Sequence, residues 1–130
     1  MYLIDTNIFL EILLTQEKRD TCKKFLEANV GSLYISDFSL HSIGVILFRN
    51  NREDIFQKFI NDVIPNVEII TLPKKSYEGL VEIKRKLGLD FDDAYQYKVA
   101  KELNLKIVTM DKDFEKIEDD ANILYLHGKF

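Results

Sequence analysis

The stretch LDFDDAYQYKVAKELNLKIVTMDKDF, residues 89–114, reads as a helix, a strand and an acidic turn in succession. Asp90 follows Gly88 at the position of a helix N-cap, and Ala94, Tyr97, Ala100 and Leu103 recur along a helix that reaches about Asn104. Lys106 to Thr109 is a strand, and Asp111 to Ile117 a short helix or turn. One acidic group thus opens a helix and another follows a strand end.

The same grammar holds towards the N-terminus. Residues 2 to 4 of YLIDTNIFL read as a short buried strand, and after Asp5 a helix places Ile8, Phe9, Ile12 and Leu13 at helical spacing. A second amphipathic helix spans about Glu17 to Asn29, followed by a strand from Leu33 to Ile35. Ser36 or Asp37 caps a helix from about Phe38 to Arg49 that is apolar nearly all round, which implies burial on two sides or an interface. A helix from about Arg52 to Val63, a strand Val67 to Leu72 ended by Pro73, a basic helix Lys74 to Leu87 and a closing strand Ile123 to Leu126 complete the chain. Strands alternating with helices call for an α/β fold. We expect a three-layer α/β/α sandwich around a central, mainly parallel sheet. The 130 residues fit a single domain, 1–130, with no repeats or linkers.

In an open parallel sheet the carboxyl ends of strands and the adjacent helix starts share one rim, so Asp5, Asp93 and Asp111 are expected to converge. Convergent carboxylates repel unless a cation lies between them, and hard oxygen ligands suit Mg²⁺ or Mn²⁺. Such an ion activates water against a phosphodiester, which makes a metal-dependent nuclease the first reading. The formal net charge of −4 argues against nucleic acid only until the charges are located. With Asp5, Asp90, Asp93, Asp111 and Asp113 gathered in one pocket, the rest of the chain carries +1. Lys74 with Lys75, Lys84 to Lys86, and Arg49 with Arg52 either flank a nucleic-acid backbone or form solvated helix faces. The lone Cys22 forms no internal disulfide and sits at a helix core spacing, in keeping with a reducing, cytoplasmic setting. The N-terminal run carries Asp5 and Glu11 and lacks basic residues, so it matches neither a signal peptide nor a membrane span. Two histidines and one cysteine cannot build a zinc site alone, no Gly-rich phosphate loop is present, and His127 is expected at the surface.

YLIDTNIFL, residues 89–114 and the 18-residue step from Asp93 to Asp111 together resemble PIN domains, and the length and layout resemble the VapC type of toxin. The resemblance implies an endoribonuclease, the toxin of a type II pair, with Asp5, Asp93 and Asp111 as catalytic acids that hold Mg²⁺ or Mn²⁺. It places Thr6, Asn7 and Thr109 around the site, where they support the carboxylates or a metal-bound water, or else cap the first helix and end a strand. It also implies an RNA substrate, a protein antitoxin and a homodimer, for which the doubly apolar helix with Gly44 would serve; Gly44 equally fits tight packing within one chain.

One departure stands out. PIN domains usually carry a glutamate six residues beyond a serine resembling Ser36, and here that position is Ser42. Either His41 and Ser42 are hydrogen-bonded packing residues, or Ser42, His41 or Asp37 holds a water or metal through a softer contact. Losing one charge favours a single ion over two. Asp90, three residues before Asp93, either compensates as a ligand or serves as the N-cap; Asp113 is an outer ligand or a first-turn residue favoured by the helix dipole; Asp92 is expected to face solvent. The missing glutamate also leaves open a weakly active or inactive PIN domain acting as a binding or regulatory subunit, and a PIN nuclease that is not a toxin remains a further alternative. A receiver domain would want an acid pair near the first strand, and a haloacid-dehalogenase-type phosphatase an acid where Asn7 stands.

Overall fold

Three apolar residues, YLI, suffice for the first strand because both their faces are covered, as parallel sheets require. In the computed structural model, which describes residues 1–117 and 122–126, the element order is β1 (Tyr2–Ile4), α1 (Thr6–Leu13), α2 (Arg19–Ala28), β2 (Leu33–Ser36), α3 (Asp37–Arg49), α4 (Glu53–Asp62), β3 (Glu68–Ile70), α5 (Gly79–Leu87), α6 (Phe91–Leu103), β4 (Lys106–Thr109) and β5 (Ile123–Tyr125). The five strands form one sheet in the order β3-β2-β1-β4-β5, with each neighbouring pair parallel. Leu3 pairs with Ile107 and Ile4 with Val108.

Alternation along these two central strands builds the layers. Leu3 and Ile107 turn to a core shared with Ala94, Tyr95, Val99 and Phe114. Ile4 and Val108 turn the other way, to Ile8, Phe9, Ile43 and Leu47. Helices α5 and α6 therefore cover one face and α1 to α4 the other, the three-layer α/β/α sandwich expected from the alternating pattern. Burying each large apolar side chain contributes about 1.5–3 kcal/mol, so the central strands are the most strongly held part of the sheet. Cys22 lies in the second core, fully buried, and burial pushes its thiol up to about 11.

The boundaries differ from the sequence pattern where side chains compete for the backbone. The strand expected over Val67 to Leu72 contracts to Glu68–Ile70: the Val67 N–H donates to the Ile64 carbonyl, and the Leu72 N–H donates to the Tyr95 hydroxyl at 3.0 Å. The expected single helix Lys74 to Leu87 begins as a 3₁₀ turn, Lys74–Glu78, and becomes α-helical only at Gly79. A Cβ at Gly79 would come within 3.1 Å of the Lys98 ammonium, so a hydrogen there lets α5 approach α6. Gly88 ends α5 in the left-handed region at φ +69°, its N–H donating to the Lys84 carbonyl. Along α3, Ile43 and Leu47 are buried while Val45 and Phe48 are exposed, so burial is one-sided. Gly44 packs on Phe56 of α4, with 3.4 Å from an added Cβ to the ring, which is the within-chain role. No helix among the described residues is long and apolar enough to cross a membrane. His127 lies outside the described residues.

Candidate active site

The chain leaves β1 outward to β2 and β3, then returns on the other side of β1 with β4, so the topological switch point lies between β1 and β4. Crevices of this kind form at the carboxyl ends of such strands. Asp5 follows β1 directly and caps α1, accepting from the Thr6 N–H at 2.8 Å. Asp111 lies two residues beyond β4, and Asp93 occupies the first turn of α6. All three line one cavity of about 280 Å³, together with Thr6, Asn7, Ser42 and Gln96.

Around Asp5 the neutral polar residues form a hydrogen-bond network that leaves only the buried Gln96 Oε1 without a partner among its members. Thr109 Oγ1 donates to Asp5 Oδ2 at 2.7 Å and accepts from the Asp111 N–H at 2.9 Å. Asn7 Nδ2 donates to both Asp5 Oδ2 and Thr109 Oγ1 at 3.3 Å, while Asn7 Oδ1 accepts from the Met110 N–H at 3.3 Å. On the other side, Thr6 Oγ1 donates to Ser39 Oγ at 2.8 Å, and Gln96 Nε2 donates to Ser39 Oγ at 3.2 Å and Asp5 Oδ1 at 3.5 Å. Strand ends, α1, α3 and α6 are thereby tied to one carboxylate. Gln96 and Ser39 were not singled out from sequence; Gln96 is three residues after Asp93, so the helical i, i+3 rule was the available signal.

The remaining acids divide. Oxygens of Asp93, Asp111 and Asp113 lie within 4.8 Å of one another, and Asp111 Oδ1 accepts from the Asp113 N–H at 2.9 Å. Asp90 takes the N-cap position of α6, but its side chain makes no capping hydrogen bond and its charge repels Asp93. Asp92, expected in solvent, is exposed yet lines the cavity, because the first helical turn aims it along the same rim as Asp93. Of the three groups near the missing glutamate, only Ser42 reaches this cavity. His41 and Asp37 line the neighbouring one, because Asp37 Oδ1 is held there by the Tyr95 hydroxyl at 2.6 Å.

Burial, then repulsion from Asp111, Asp90 and Asp5, pushes the Asp93 carboxyl up to about 7. Burial also raises Asp5, against the lowering effect of its bonds from Thr109 and Thr6, and Asp111 repels it further. These shifts are what carboxylates show when no cation shares their pocket. Among the described residues lining the cavity there is no lysine, arginine, histidine or cysteine. The donor set is oxygen alone, and it fits a hard divalent ion such as Mg²⁺ or Mn²⁺.

The Thr109 hydroxyl serves three partners at once, so Thr109→Val, which keeps the shape, should leave a buried carboxylate and the Asp111 N–H short of a bond. We expect a cost of about 1–3 kcal/mol in stability and a roughly 10- to 100-fold loss of Mn²⁺ affinity. Thermal melts and calorimetric titration measure the two effects.

The profile of the PIN domain family matches residues 2–120, and the chain belongs to that family. Its fold is similar to that of a toxin–antitoxin complex from Klebsiella pneumoniae, with TM-score 0.75 and 22% identity over 99% of this chain and 98% of that one. VapBC2 from Rickettsia felis, bound to a DNA fragment from its promoter, superposes at TM-score 0.81 with 19% identity, covering 97% and 98% of the two chains. VapC20 from Mycobacterium tuberculosis, a toxin that cleaves the sarcin–ricin loop, superposes at 0.74 with 12% identity over 93% and 96%. No curated protein matches the chain in sequence.

Proposed function

We propose that this chain is a metal-dependent endoribonuclease, acting as one PIN unit over residues 1–130 and serving as the toxin of a type II toxin–antitoxin pair. The observation that carries this reading is the convergence of Asp5, Asp93 and Asp111 at the switch point, in a pocket whose lining offers only oxygen donors. Asp93 and Asp111, clustered with Asp113, and Asp5 on the same cavity wall would hold Mg²⁺ or Mn²⁺, with Asp90 adding negative charge beside Asp93. When bound, the ion lowers the pKa of water to make the attacking hydroxide and neutralises charge developing on the phosphodiester. Thr109, Asn7 and Gln96 hold Asp5 in one rotamer, so little reorganisation is needed when substrate arrives. In this reading water is the nucleophile; Cys22 is buried in the core and His41 lies outside the pocket.

RNA as substrate is supported by VapC20, a toxin that cleaves the sarcin–ricin loop, and an antitoxin partner by the toxin–antitoxin complexes that share the fold. The exposed Val45 and Phe48 of α3 support a homodimer surface. A second reading, a binding subunit with little activity, is favoured by Ser42, which puts a neutral hydroxyl on the pocket wall where the family usually has a carboxylate. Cleavage of a panel of structured and single-stranded RNAs, with Mg²⁺, Mn²⁺ or chelator, separates the readings. Metal-dependent cutting supports the nuclease, and uniform inertness across metals supports the subunit.

Ser42→Glu should tighten divalent binding about tenfold, because affinity at hard-ion sites rises with ligand charge. Calorimetry with Mn²⁺ checks this; unchanged affinity would place Ser42 outside the coordination sphere.

A further inference from the structure

Three cavities adjoin one another in series. The acidic cavity and a second of about 200 Å³ share Phe38, and the second shares Tyr77 with a third, open groove that carries Lys74 and Lys75. The middle cavity is walled by Asp37, Phe38, His41, Tyr77, Phe91 and Tyr95. Four of these are aromatic, and they contact one another: Phe38 lies 6.1 Å from Phe91 and 5.8 Å from Tyr95, while Tyr77 lies 6.0 Å from Tyr95 between ring centroids. Phe91 and Tyr77 are 52% and 44% exposed, a large apolar area to leave in water beside a charged pocket. Phe91 also sits one residue before Asp92 and two before Asp93, on the same turn of α6.

We propose that this aromatic cavity is a nucleobase subsite, which takes an unstacked base of single-stranded RNA adjacent to the scissile phosphate, with Phe91 and Tyr77 as stacking surfaces. The inference rests on the nuclease reading for what occupies the acidic cavity and adds where the next nucleotide goes. Aromatic side chains hold splayed-out bases in single-stranded RNA because every base offers a π-face. The order of the cavities matches a strand: carboxylates for an ion and the scissile phosphate, rings for a base, then a groove whose two lysines outnumber its one acid, Glu78, for a following phosphate.

Asp37 sets the polarity of the subsite. Its Oδ1 accepts from the Tyr95 hydroxyl at 2.6 Å and the Phe38 N–H at 2.8 Å, which fixes the carboxylate in the wall and leaves Oδ2 as an acceptor. A carboxylate repels phosphate, so the occupant is an N–H-bearing edge of a base, with one donor directed at Oδ2.

The test scans a single-stranded RNA oligonucleotide with 2-aminopurine and, separately, with abasic ribose, against wild type, Phe91→Leu, Phe91→Tyr and Tyr77→Leu in the full chain. Fluorescence reports binding and stacking, and cleavage is followed independently. We expect one position beside the cut site to show a stacking signal and an abasic penalty of about tenfold or more in binding or KM. Phe91→Leu and Tyr77→Leu should erase that positional penalty, and Phe91→Tyr should keep it. Binding with this coupling but no cleavage supports the subsite and sinks the nuclease reading. Cleavage whose abasic profile is the same in wild type and Phe91→Leu overturns the subsite alone, and leaves the rings to a protein segment. Failure of every RNA to bind overturns both.

Discussion

Asp93→Asn should abolish metal-dependent RNA cleavage, by roughly a thousandfold or more, and at the same time raise the melting temperature of the protein in chelator at pH 8. The first effect follows from charge. Asp93 lies in the only group of three clustered carboxylates among the described residues, and removing its charge weakens the hold on an ion worth several kcal/mol to the reaction. The second follows from the absence of any positive partner in the pocket lining. Without metal, ionised Asp93 is buried against Asp111, Asp90 and Asp5, and that arrangement costs stability. Asparagine keeps the size and removes the repulsion, so a rise of about 5 °C is a reasonable scale for a chain of this length. Saturating Mg²⁺ should reverse the order, because only the wild type gains binding energy from the ion. Activity assays and melts on the two proteins, with and without metal, check both effects; a mutant less stable than wild type in chelator would show that Asp93 is held by favourable contacts.

This opposition between function and stability explains which parts of the site the sequence makes visible. Asp5, Asp93 and Asp111 stand out because each follows a strand end or opens a helix, the positions that an open parallel sheet gathers on one rim. Their convergence follows from one topological rule, and the sheet order β3-β2-β1-β4-β5 obeys it. Gln96 and Ser39 are invisible for the opposite reason. A neutral polar residue on a helix face is compatible with solvent, capping or core, and only the fold shows that Gln96 is buried on Asp5 and Ser39 on Gln96. Asp90 shows a different limit: its position in the chain is that of a cap, but its side chain makes no capping bond and its charge repels Asp93 instead. The shortened third strand has a similar origin, since the Tyr95 hydroxyl comes from a residue 23 positions away in sequence and takes the Leu72 N–H. Local pattern fixes elements, whereas competition for backbone groups at their ends is settled by tertiary contacts.

The metal-stripped protein should lose stability as pH rises from about 4 to about 8, the reverse of ordinary acid denaturation. In the unfolded chain Asp93 titrates at its ordinary value of 3.8, and in the fold at about 7. Between those values the native state holds a proton that the unfolded state has released, so each step up in pH favours unfolding. The penalty is absent below the unfolded value and complete above the folded one. Its ceiling is about 4 kcal/mol at 1.36 kcal/mol per unit, and water at the open mouth of the cavity reduces that to about 2 kcal/mol. Asp5, raised by burial, adds in the same direction. Urea denaturation of wild type and Asp93→Asn across this range isolates the contribution of Asp93 and of its repulsion with Asp111, Asp90 and Asp5, since titrating groups away from the pocket cancel in the difference. The difference should grow with pH and level off above about 7; a flat difference would mean that Asp93 is ionised in the fold throughout. The same proton must leave when an ion binds, so apparent Mn²⁺ affinity should climb through this window and then plateau. Two independent measurements, one of folding and one of binding, would therefore turn at the same pH if a single carboxylate governs both.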